Sequence, residues 1–275
     1  MTSIVPKDRT IAALGELWAS ITDLLEGLDD TQWSLPSPLP GWNVQDNVAH
    51  LIGTEAMLLG VENPSVTVDR EASSHVRNDI GEFNEVWVQH LHASPPNDVL
   101  ALFREYTSAR LAALAAMTQD EWDAESFTPA GRDTYGRFMQ IRVFDCWLHE
   151  QDIRDAVGVP GHEAGLAVEV TLDEMETAMG FVVGKRAGAV DGQSVTFALT
   201  DDGAIVRWIH VAVDGRAAVV PALDAPATTT ITLPVGVMTR RCAGRVDAAT
   251  VAGEIDVSGD VELGTSVLDA LTYTI

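Results

Sequence analysis

Asp145 and His149 stand four residues apart in the run RVFDCWLHEQDIRDAVG. On an α-helix that spacing puts both side chains on one face, one turn apart, so a single helix can offer two ligands to one ion. A carboxylate and an imidazole together suit zinc and related divalent cations. At about 100° per residue, Arg142, Asp145, His149 and Asp152 fall within an arc of roughly 80°. Phe138, Ile141, Leu148, Ile153 and Ala156 fall within or beside that arc. A surface helix keeps its charges opposite its apolar stripe; here they are embedded in it. Burying ionisable groups costs several kcal/mol each unless they are paired or coordinate a metal. Two arrangements meet that demand. One is a metal centre with a third ligand from elsewhere, for which His50, inside a helical segment near Leu51, Met57 and Leu58, is the natural candidate. The other is a metal-free network of Arg142, Asp145, His149 and Asp152. Spacing alone leaves both open.

The elements that must position these residues read as helices through the first 160 positions. Ile11, Leu14, Leu17, Ile21, Leu24 and Leu25 recur at three- and four-residue steps, with Asp8 as the expected N-cap and Gly27 as the stop. After the turn PLPGW, Asn43 and Asp46 have the spacing of a capping box, opening a helix through NVQDNVAHLIGTEAMLLG. A third helix is expected from Asn78 to His92 with Ile80, Phe83, Val86, Trp87 and Leu91 inward. Asn97 is expected to cap a fourth that carries Val99, Leu100, Phe103, Leu111 and Leu114. The fifth runs from about Tyr135 to Val157 and stops at Gly158 with Pro160 beyond. Trp147 and Glu150 project away from the ligand arc, Trp147 as packing and Glu150 as a solvated or inter-helix residue. Four principal helices and a leading one predict a bundle.

Past VGVPGHEAG the pattern changes. A helix is expected through EVTLDEMETAMGFVVGKR. Strands are expected at QSVTFALT, AIVRWIHVAV, RAAVV and ATTTITL, with Asp202-Gly203 and Asp214-Gly215 as hairpin turns. Short helices follow at VGVMTRRCAG and VELGTSVLDAL. The fold class is therefore multidomain, an all-α helical bundle over residues 1–160 and an α+β domain with an antiparallel sheet over residues 161–275.

Bulk properties narrow the chemistry. With 41 acidic against 17 basic residues the net charge is −24, a field that repels phosphate backbones and anionic membrane surfaces. Nucleic-acid and membrane partners are excluded on that ground, and a small-molecule substrate is expected. No apolar run reaches the ~18 residues a spanning helix needs. MTSIVPKDRT has no basic-then-apolar export pattern, and Cys146 and Cys242 lack CxxC spacing, so a cytoplasmic location is expected. Cys146 reads as a small core residue.

The segments LPGWNVQDNVAHL and RVFDCWLHEQDIRDAVG together resemble the mycothiol-dependent maleylpyruvate isomerase family, within the DinB-like metal-binding four-helix bundles. In that family a PGW turn opens a helix bearing one histidine ligand, and a later helix bears an acidic residue with a histidine four positions on. The resemblance implies metal ligation by His50, Asp145 and His149. The stretches APATTTITLPVGVMTRRCAGRV and VSGDVELGTSVLDAL resemble the sterol-carrier-like domain often joined to such bundles. One departure stands out: the isomerase pattern has Glu where this chain has Asp145. Being one methylene shorter, Asp145 must hold the ion nearer its own helix or hold it less tightly.

Three protein ligands leave coordination positions open, as in catalytic zinc sites. A low-molecular-weight thiol, mycothiol by resemblance, could bind there as the thiolate. Addition to an activated double bond followed by rotation and elimination gives cis–trans isomerisation; addition or displacement alone gives S-transfer. Asp152 is expected to orient a ligand histidine or act as a general acid. Arg241 is the preferred anion-binding arginine among Arg77, Arg142, Arg154, Arg240, Arg241 and Arg245. The alternative is a non-catalytic binding protein with a structural metal and an apolar ligand in its C-terminal half.

Overall fold

The computed structural model describes residues 3–70, 73 and 75–274. It divides into two compact units, Met1–His162 and Glu163–Ile275. The first is helical and the second α+β.

In the first unit, α1 (Lys7–Glu26), α2 (Val44–Leu58), α4 (Pro96–Ala116) and α6 (Tyr135–Val157) pack in a closed ring, α1 on α6, α6 on α2, α2 on α4 and α4 on α1. The helix α3 (Asp79–Leu91) lies against α2. The bundle expected from periodicity is present, but the added helix is α3 and the leading helix belongs to the ring. This is why Ile80, expected inward on α3, is exposed while Trp87 and Leu91 are buried: a helix packed on the outside of a bundle has a narrow buried stripe.

The α2 start follows its sequence signature. Asn43 Oδ1 accepts from the Asp46 amide at 2.9 Å and Asp46 Oδ2 accepts from the Asn43 amide at 2.9 Å, closing the capping box. Two other expected caps shift. The α1 helix begins at Lys7 behind Pro6, so Asp8 sits in its first turn, and α4 begins at Pro96 behind Pro95, so Asn97 lies inside it. A proline supplies the helical φ at no hydrogen-bond cost at a helix start, and it displaces the polar residue from the cap. A short helix α5 (Gln119–Trp122) and a hairpin of β1 (Glu125–Thr128) and β2 (Gly131–Thr134) lead into α6; neither was expected. Thr134 Oγ1 accepts from the Arg137 amide at 3.1 Å and caps α6. That helix ends at Gly158, whose φ of 68° is the left-handed stop.

In the second unit, α7 (Leu166–Phe181) continues into a π turn over Val182–Arg186. The strands are β3 (Ser194–Asp201), β4 (Ala204–Asp214), β5 (Arg216–Val220), β6 (Thr229–Pro234) and β7 (Asp256–Gly259), in the order β5-β4-β3-β6-β7. The helices α8 (Val235–Cys242) and α9 (Val261–Ala270) complete it. Asp202 and Gly203, with φ of 46° and 79°, form the two-residue turn between β3 and β4. The sheet corrects one expectation. It is mixed, because β6 pairs parallel to β3. Val195, Phe197, Leu199, Ile209, Val211 and Ile231 are buried; β4 and β6 alternate as half-covered strands do, while central β3 also buries Thr196 and Ala198.

Candidate metal centre

Two helices at the heart of the first unit carry the polar residues singled out from the sequence. Almost every residue of α2 from Val44 to Ala56 is buried, and α6 is buried on nearly all sides from Gly136 to Ile153. Ionisable groups on such helices must be answered by neighbours or by a ligand.

His50 on α2 and Asp145 and His149 on α6 converge, with one ligand atom from each lying within 4.8 Å of the others. Among the described residues they are the one group of three acidic, histidine or cysteine side chains so placed. His50 Nε2 stands 3.3 Å from Asp145 Oδ2, and His149 Nε2 stands 3.7 Å from Asp145 Oδ1. The two imidazoles lie 4.6 Å apart between centroids. Trp42, delivered by the PGW turn, places its indole 5.4 Å from His50 and 5.9 Å from His149. Its Nε1 donates to Glu85 Oε2 at 3.2 Å, so one acidic group on α3 sets the plane of this aromatic wall.

The outward nitrogen of His149 is held. Its Nδ1 lies 2.8 Å from Asn47 Oδ1 and 3.5 Å from Asp152 Oδ2. Both partners accept, so Nδ1 carries a proton and Nε2, on the Asp145 side, is the nitrogen a cation would take. Asp152, buried, thus stands where it was expected, but Asn47 is the nearer acceptor. The sequence held a signal for Asn47, since it lies one turn before His50 on the same helix face. His50 Nδ1 is buried with no hydrogen-bond partner, leaving Nε2 as its engaged nitrogen.

Asp145 is also paired with Arg142, whose Nη1 meets Asp145 Oδ2. Arg142 in turn donates from Nε at 3.1 Å and from Nη2 at 2.8 Å to Glu55 Oε1 on α2. The other oxygen of Glu55 accepts from Arg110 Nε at 3.0 Å, and Arg110 Nη2 reaches the Tyr135 hydroxyl at 2.8 Å. Glu55 and Arg110 are buried and were missed from the sequence, because their partners lie 55 and 87 positions apart in the chain. The candidate ligand group and the ionic network posed as alternatives share Asp145 and His149 and run into one another here.

The electrostatics follow from this packing. Burial pushes His50 down, toward the neutral imidazole a cation needs, against the pull of Asp145. Burial opposes the charge on Asp145 as well, but Arg142 and His50 hold its carboxyl well below the usual range. His149 is raised despite burial, because Asp145 and Asp152 favour its protonated form. A cation at Nε2 would take the place of that proton. Two nitrogens and a carboxylate form a borderline donor set that suits zinc, and the hold on Nδ1 of His149 leaves Nε2 for the ion. The residues fit the ion.

Most of the remaining expected arginines are engaged by groups of their own unit. Arg241, in the second unit, is buried, with Nη1 donating to Val246 O at 2.6 Å and Nη2 to Leu268 O at 2.9 Å. Those two nitrogens meet backbone carbonyls of its own unit, while its Nε is buried with no hydrogen-bond partner. Arg240 pairs with Glu163 at 3.0 Å, Arg245 donates to Ala243 O, and Arg154 is bound to Glu150. Arg77 is exposed ahead of α3. Glu150 is fully buried between Arg154, Ser20 and His162, the inter-helix role rather than the solvated one. Cys146 is also buried, and burial pushes its thiol up to about 12, as for a packed core residue.

A family model described as "Mycothiol maleylpyruvate isomerase N-terminal domain" matches residues 14–154, just over half of the chain. Among solved structures the chain is similar to a mycothiol-dependent maleylpyruvate isomerase, at 18% identity and a TM-score of 0.56, over 92% of this chain and 93% of that one. A mutant of that isomerase is similar at 18% identity and a TM-score of 0.51, over the same shares. At such identity the likeness establishes the fold, and its span covers both units. A search of curated proteins found no match.

Proposed function

The chain belongs to the mycothiol maleylpyruvate isomerase N-terminal domain family, and from that premise we propose that it is a metal-dependent enzyme using a low-molecular-weight thiol on a small electrophile. The reaction is cis–trans isomerisation of an activated double bond, or S-transfer to the same class of acceptor. The thiol is mycothiol, the cation zinc. The observation that carries the reading is the convergence of His50, Asp145 and His149 from two helices within 4.8 Å.

His50, Asp145 and His149 would hold the ion, leaving at least one coordination position for a ligand. The ion, when bound, stabilises a thiolate at neutral pH. Asn47 and Asp152 fix the His149 tautomer, so Asp152 is a positioning residue. Trp42 shields one side of the two imidazoles from water. Arg241 braces the second unit through Val246 O and Leu268 O. The first unit is the DinB-like bundle of the resemblance and the second its sterol-carrier-like companion.

Turnover of maleylpyruvate and of a panel of thiol acceptors, with mycothiol present, tests this. Thiol-dependent turnover should vanish on chelation and return with zinc. A protein that binds zinc stoichiometrically yet shows no thiol-dependent turnover, and melts lower after chelation, would instead be the binding protein with a structural metal.

A further inference from the structure

The Glu55 carboxylate touches none of the three candidate ligands, yet it holds the Arg142 guanidinium, which pairs with Asp145. Arg142 brings two donors to Glu55 Oε1, at 3.1 and 2.8 Å, and a third, Nη1, to Asp145 Oδ2. Glu55 and Arg142 are both almost wholly removed from water. In such surroundings charges act on each other far more strongly than at a surface. The guanidinium is thus divided between two anions. The stronger the hold of Glu55, the less of the Arg142 charge falls on Asp145, and the more of the Asp145 charge remains for a cation between the histidines. Arg110, at 3.0 Å from Glu55 Oε2, fixes the carboxylate from the far side and keeps the alternation of signs balanced.

We propose that Glu55 is a positioning residue of the metal centre, setting through Arg142 how tightly Asp145 binds the ion. This rests on the metal reading above. Groups that hydrogen-bond to metal ligands ordinarily strengthen binding, and their loss costs about 10–100-fold in affinity. Arg142 differs because it is a cation competing for the same carboxylate, so its removal and that of Glu55 should act in opposite directions.

Zinc affinity is measured by competition with a chromophoric chelator on the full-length chain, with thermal melting to verify folding. Glu55→Gln with Arg110→Gln removes one charge of each sign and keeps the balance. Its affinity should fall by about tenfold or more, as the freed guanidinium moves onto Asp145. Arg142→Gln keeps a donor but loses the charge, and should bind zinc at least as tightly as the parent. Adding Arg142→Gln to the Glu55→Gln and Arg110→Gln pair should recover most of the loss, which a general loosening of the core would not do. An Arg142→Gln variant binding zinc tenfold more weakly overturns the proposal, as does a folded Glu55→Gln, Arg110→Gln variant within twofold of the parent. Should that pair not fold, Arg142→Gln alone decides, by the sign of its change. A parent chain that binds no zinc at all brings down the metal reading itself, an outcome distinct from parent binding with unmoved variants.

Discussion

Each imidazole of the centre needs one nitrogen free for the ion and the other accounted for. His149 meets this through Asn47 at 2.8 Å, which makes Asn47 a sharper test than the ligands themselves. His149→Ala and His50→Ala should each abolish stoichiometric zinc, read by elemental analysis of protein made without a histidine tag. Asn47→Ala should leave the stoichiometry but weaken affinity by about 10–100-fold; unchanged affinity would mean that Asn47 does not orient the ring. His92→Ala serves as the control. His92 pairs with Asp46 at 2.7 Å, outside the ligand group, so zinc should be unaffected. The Asp145–His149 pair was legible because four-residue spacing fixes a shared face on any helix. His50 lies 95 positions from Asp145, and no local rule joins them, so its place in an apolar helix made it a candidate and the resemblance of two motifs tied it to the pair. Asn47, Glu55 and Arg110 went unread for a related reason: a neutral amide or a helix-interior ion pair looks like surface until its partner is known.

Helices were legible where caps and periodicity agreed, as at the Asn43–Asp46 capping box and at Gly158. They were misplaced by a residue or two where proline took over the start. The ring order was not legible, because an amphipathic stripe states that a helix is covered but not by which neighbour. The parallel pairing of β3 with β6 escaped for the same reason: alternation marks a strand and its buried face, while the partner is set by topology. Packing between elements can be tested at Gly53. A Cβ there would lie 2.6 Å from Trp87 Cγ, where α2 meets α3. Gly53→Ala should therefore destabilise the chain by about 1–3 kcal/mol through overpacking, despite the helix propensity gained. Urea unfolding would measure it, and a neutral or stabilising result would show that α3 yields without cost.

At the scale of the whole chain, both candidate ligand helices and every hydrogen-bond partner named for them lie in the first unit, Met1–His162. That unit carries its own terminal clasp. His162 Nδ1 stands 2.6 Å from Glu150 Oε2 on α6, its Nε2 3.4 Å from Glu16 Oε1 on α1, and its carbonyl accepts from Trp147 Nε1 at 2.8 Å. Burial opposes protonation of His162, but Glu150 and Glu16 outweigh it and raise its pKa above the ordinary value. A raised histidine contributes stability that is complete below the unfolded value of about 6.5, and the contribution fades as pH climbs through the folded pKa. The acidic surface, with a net charge of −24, supplies no binding determinant for the ion, which is set by neighbours a few ångströms away. A fragment of residues 1–162 should thus fold cooperatively and bind one zinc with affinity near that of the full chain. Its stability advantage over a His162→Asn version, in which Asn accommodates the φ of 56°, should be widest near pH 6 and shrink toward pH 9. Calorimetric melts across that range, with zinc titration of the folded fragment, would check both. A folded fragment that binds no zinc would mean that the centre needs the second unit. A gap that does not change with pH would mean that the ring contributes through contacts of the neutral imidazole and not through the imidazolium.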